Sequence, residues 1–100
     1  MSTQSIERQI NQLRNLLTFS SQFKVELQSK ISLYESKVRS MYDSGIPIEF
    51  QNSFEISCHQ PTKKALKSIM DTIDSRDIPF LKQQIQSLEL ALQTARRSRP

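Results

Sequence analysis

Glycine, cysteine and histidine each occur once in this 100-residue chain, and tryptophan not at all. A lone glycine, Gly45, excludes the glycine-rich loops that cradle phosphate in nucleotide-binding proteins. A lone cysteine, Cys58, excludes an internal disulfide and gives no sign of an oxidising compartment. Cys58 is expected to be packed and its neighbour His59 solvated. One Cys and one His fall short of the four ligands of a structural zinc. In an extended segment adjacent side chains point to opposite faces, so His59 would not activate Cys58 as a nucleophile. Asp71, Asp74 and Asp77 recur every three residues, but they lack the further oxygen ligands that calcium or magnesium collects. No stretch approaches the ~20 apolar residues of a membrane span. Met1 to Glu7 has neither the basic start nor the apolar run of a secretory signal. The expectation is a cytoplasmic protein, or one exported by a signal-less route, with no membrane span, no cofactor and no enzymatic activity.

Apolar residues are also sparse, at 36% against a usual ~45–50%. Their order makes up for their number. Ile6, Ile10, Leu13, Leu17, Ser20, Lys24, Leu27, Ile31, Tyr34, Val38 and Met41 follow one another at alternating steps of four and three, and only Ser20 and Lys24 interrupt the apolar series. Such spacing marks the seam of a coiled coil, a single stripe on one long helix that needs a partner. Ser2, Thr3 or Ser5 serves as its N-cap. Leu16, Phe19 and Phe23 form a second apolar line beside the interruption, which suggests that the helix meets more than one neighbour there or shifts its supercoil.

Asp43, Ser44 and Gly45, followed by Pro47, stop this helix. Beyond it Ile46, Ile48 and Phe50 alternate, as do Phe54, Ile56 and Cys58. Paired around Gln51, Asn52 and Ser53, the two runs form an antiparallel β-hairpin with every apolar group on one face. The alternative is a short helix from Pro47 to Ser57 that buries Ile46, Phe50 and Phe54. Helical spacing resumes after Pro61 and Thr62, with Leu66, Ile69, Met70 and Ile73. A second seam then runs through Ile78, Leu81, Ile85, Leu88, Leu92 and Ala95, and Pro79 bends or breaks the helix near 75–79.

The predicted fold is therefore mostly α and a single domain over 1–100, with a helix at 4–43, a tip or connector at 45–60, and a helical region at 62–97. It is a long antiparallel helical hairpin or small helical bundle with coiled-coil seams and a short β-hairpin at the tip. This order of long helix, hairpin and long helix is similar to the β-type subunits of prefoldin, whose paired helices project from hairpins that build an oligomeric barrel. Gln51, Asn52 and Ser53 stand where those hairpins carry a Val-Gly pair. Helical-hairpin secretion substrates and secretion chaperones look similar too, although this chain has no Trp-X-Gly turn.

The functional expectation is a protein-protein interaction module, such as an assembly subunit, adaptor or chaperone-like protein, bound to a protein partner or to its own copies. Its candidate contact residues are Ile46, Ile48, Phe50, Phe54 and Ile56 at the tip, Leu13, Phe19, Phe23, Leu27 and Ile31 on the first helix, and Leu81, Ile85, Leu88 and Leu92 on the last. The alternative is a nucleic-acid-associated protein. Net charge is +4, and residues 61–100 hold eight basic against four acidic groups. Arg96, Arg97 and Arg99 are the candidate phosphate contacts. No aromatic residue interleaves with them for base stacking.

Overall fold

The computed structural model describes residues 2–97, and they form an extended helical hairpin measuring 78 × 17 × 13 Å. Its radius of gyration is 22.0 Å, against about 13 Å for a compact domain of this length. Helix α1 runs over Thr3–Asp43. Neither proline nor glycine interrupts it, and Ser2 is the cap, its side chain accepting from the Ser5 N–H at 3.2 Å. Gly45 ends the rise in the left-handed region at φ 99°, the only positive φ among the described residues. Ser44 Oγ donates to the Met41 carbonyl at 2.6 Å. The Gln51 amide donates to the carbonyls of Tyr42 at 3.0 Å and Ile46 at 2.7 Å, which supplies partners to chain-end oxygens left unpaired by the turn.

The return arm is helical from Ile48 to Arg97, as α2 (Ile48–Phe54), α3 (Gln60–Thr72) and α4 (Ile78–Arg97). The β-hairpin expected between Ile46 and Cys58 is not formed, and no strand occurs among the described residues. Gln51, Asn52 and Ser53 lack the positive φ that a tight two-strand reversal requires. A helix instead places Ile46, Phe50 and Phe54 at four-residue spacing beside Val38, Met41 and Tyr42 of α1. With the strands goes the likeness to prefoldin hairpins.

Two π turns, Glu55–His59 and Ile73–Asp77, join the three helices end to end. Gln60 N–H bonds to the Glu55 carbonyl and Ile78 N–H to that of Ile73, each one residue farther back than in an α-helix. Each π turn ends two residues before a proline, Pro61 or Pro79. A proline ring collides with the carbonyl four residues earlier in a regular helix, and the wider turn removes that collision. The arm therefore continues through Pro79, where a bend or a break near 75–79 was expected, and the irregularity there is the π turn Ile73–Asp77. Ser75 does not cap a new helix, for its Oγ donates to the Asp71 carbonyl at 2.6 Å.

Between the two arms lie seven buried apolar side chains: Ile6, Ile10, Ile31 and Val38 of α1, and Ile73, Leu81 and Ile85 of the return arm. Leu13, Leu17, Leu88, Leu92 and Ala95 pack around Ile6, Ile10 and Ile85. The core is one side chain wide, and no described residue is enclosed on every side. No helix among the described residues is long and apolar enough to cross a membrane.

Candidate interaction surface

The stripe that turns α1 toward the return arm also defines two flanks, and they differ in chemistry. Positions one residue after the stripe lie on one flank and positions one residue before it on the other. On the first flank Glu7, Arg14, Glu35 and Tyr42 reach across to Arg96 at 2.8 Å, Glu89 at 2.7 Å, Lys63 at 2.6 Å and Glu55 at 2.7 Å. The exposed ion pairs Glu7–Arg96 and Arg14–Glu89 contribute about 0–1 kcal/mol each, and the half-buried pairs Glu35–Lys63 and Tyr42–Glu55 join them in setting the register of the arms.

On the other flank stand Leu16, Phe19 and Phe23, facing Ile69 and Phe80 of the return arm. These five are 42–64% exposed. Phe19 and Phe23 stack with ring centres 6.2 Å apart. Two clefts adjoin here, of about 400 and 420 Å³. Phe19, Phe23 and Ile69 line one and Leu16 and Phe80 the other, and both share Ser20, Arg76 and Asp77. The strip is thus continuous across both helices near the middle of α1.

At the tip, Ile46, Phe50 and Phe54 join Val38, Met41 and Tyr42 around a cleft of about 200 Å³. The Tyr42 and Phe54 rings meet edge to face at 6.4 Å. Ile48 and Ile56, expected on the same face as Phe50, do not line this cleft, and all three are largely exposed, at 62%, 74% and 66%. The other candidate contact residues lie between the arms. Ile31, Leu81 and Ile85 are buried there, and Leu13, Leu27, Leu88 and Leu92 are half-buried. Among the arginines, Arg96 is paired with Glu7 and Arg97 is exposed. Arg99 lies outside the described residues.

A polar cluster near the tip went unnoticed in the sequence. Tyr42 Oη donates to Glu55 Oε2 at 2.7 Å, His59 Nδ1 lies 2.7 Å from the same oxygen, and the Gln60 amide donates to Oε1. These bonds hold the Glu55 carboxyl below its ordinary range. Burial, and then the bond to Glu55, push the Tyr42 phenol up to about 12. Glu35 is likewise lowered, chiefly by its bond to Lys63. The His59 side chain is only 12% exposed and packs against the Tyr34 ring at 5.6 Å, while Cys58 is exposed. The expected packed Cys and solvated His are therefore reversed. The cause is the helix: four-residue spacing pairs Glu55 with His59 and turns Cys58 outward. That spacing was the available signal.

No three His, Cys, Asp or Glu side chains gather as a metal site among the described residues. Asp74 bonds Lys24 and Asp77 bonds Arg76. The chain matches no protein-family model, no curated protein and no solved structure with which it was compared.

Proposed function

We propose that this chain is a non-enzymatic helical interaction module, an assembly subunit, adaptor or chaperone-like protein, that works through the apolar flank and the apolar tip of its hairpin. The supporting observation is surface. The accessible area is 7684 Å², where a compact monomer of 11.6 kDa exposes about 5,800 Å². Thirteen large apolar residues are exposed among those described, against seven buried. Contiguous apolar area of this kind marks a binding surface. The intramolecular hairpin covers much of the two inward apolar stripes, so the contact energy for a partner falls chiefly to the residues beside them.

Aromatic anchors carry most of the energy of such contacts. Phe50→Ala and Phe54→Ala are expected to weaken association by about 1–3 kcal/mol each while helix content stays nearly constant. Solution mass across concentration and circular dichroism on the same proteins test this, with the native host's co-purified partner included. Loss of helicity in step with association would make the tip a local core and end its role as a contact surface. Phosphate binding by the basic second arm is distinguished by salt: it weakens linearly on a log-log plot, and apolar contact does not.

A further inference from the structure

We infer that the strip formed by Leu16, Phe19, Phe23, Ile69 and Phe80 docks a second copy of this chain, two hairpins lying antiparallel about a two-fold axis near Ser20 to form a four-helix arrangement. The inference rests on the interaction-module reading and names its occupant.

Three observations carry it. The first is charge. Arg76 and Asp77 stand side by side at the centre of the strip and line both of its clefts. Their bond to each other, 3.1 Å between sequence neighbours, leaves the arginine side chain 76% exposed. A two-fold axis that passes between these two positions sets Arg76 of each copy opposite Asp77 of the other. A partner of one charge sign would satisfy only half of this pair.

The second is area. A stable interface takes about 800 Å² from each partner. Five large side chains, each roughly half exposed, supply on the order of 500 Å² of that, taking ~150–250 Å² for a whole aromatic group. The neighbouring positions toward the termini on this flank, Gln9 and Gln12 of α1 with Gln84 and Ser87 of α4, are uncharged. They extend the contact on that side of the axis without adding a charge of their own, and the two-fold sets them opposite Glu26 and Lys30 on the same flank of the other copy. The excess surface of the monomer is large enough to contain it.

The third is position. Ser20 lies close to the midpoint of α1, Thr3–Asp43. Two hairpins related by an axis there overlap along most of their length, and the tips stay free at opposite ends.

The test is solution mass by light scattering over about 1–100 µM, with circular dichroism to verify folding. The wild-type chain is expected to be a dimer. Arg76→Asp alone and Asp77→Arg alone each set like charges across the axis and are expected to weaken the dimer by about tenfold or more. An equimolar mixture of the two variants is expected to restore it, because each acidic pair then meets a basic pair. Phe19→Gln, at an exposed position, is expected to yield a helical monomer. A wild-type monomer throughout the range, a mixture no better than its components, or a dimer indifferent to Phe19→Gln would overturn the inference. A dimer lost only on Phe50→Ala and Phe54→Ala would also overturn it, while leaving the interaction-module reading in place on the tip.

Discussion

Lys24 and Asp74 meet at 2.6 Å across the hairpin, and the lysine does so from within the inward stripe of α1. Its side chain is 30% exposed and that of Asp74 59%. The stripe therefore keeps Lys24, and Phe23 beside it stays outside. Because Asp74 remains solvated, removing the cation leaves no buried charge. Lys24→Leu is expected to stabilise the hairpin by about 1 kcal/mol, the gain in apolar burial exceeding an exposed ion pair. The urea midpoint measured by circular dichroism checks it, and an unchanged or lowered midpoint would count against it.

Ile85 is buried against Ile6 and Ile10 at the centre of the largest apolar cluster between the two arms. Ile85→Ala is expected to cost about 2–4 kcal/mol through lost transfer energy and an unfilled gap. Phe80→Ala, five residues away and exposed, should change the stability of the monomer by less than about 1 kcal/mol. Denaturant melts at a concentration low enough to keep the chain monomeric separate the two.

Gly45 sits at φ 99°, and a Cβ there would meet no atom within 4 Å. The cost of Gly45→Ala is therefore backbone strain alone, about 1–2 kcal/mol. Thermal melting checks it, and a stabilised variant would mean that the turn has rearranged.

Stability should fall on both sides of neutral pH. Glu55 and Glu35 have lowered folded values, so their contribution is present above the unfolded carboxyl value of about 4.3 and is lost as pH falls through the folded one. Tyr42 is raised from 10.0 to about 12. Its contribution is complete below pH 10 and disappears as pH rises toward 12. Glu55→Gln should flatten the acid limb, and Tyr42→Phe the part of the alkaline limb between those values. Unfolding midpoints against pH give the readout.

The sequence made α1 legible because its stripe repeats without a slip and Asp43, Ser44 and Gly45 stop it together. The tip was harder to read. Ile46, Ile48 and Phe50 satisfy a two-residue period, yet Ile46, Phe50 and Phe54 satisfy a four-residue one, and pattern alone does not separate short apolar runs. The structure resolves them through Gln51, whose amide bonds two carbonyls of the preceding turn. The polar cluster was hidden for the same reason: Glu55 and His59 are neighbours only in a helix. Leu16, Phe19 and Phe23 were visible as a second apolar line one residue before the stripe, but Ile69 and Phe80 join them only once the return arm lies alongside α1.

The two π turns bear on how this chain tolerates length changes. Each holds one more residue than an α-helical turn, so a residue removed from Glu55–His59 or Ile73–Asp77, together with replacement of the proline that follows, lets the arm close into an ordinary helix with everything downstream still facing α1. The same removal within α1 rotates all that follows by about 100° and turns Ile31 and Val38 outward. The prolines guard the surplus, since without Pro61 or Pro79 the regular helix becomes accessible again. Length variation in this hairpin is thus confined to two points of its return arm, and α1 is the ruler against which they are set.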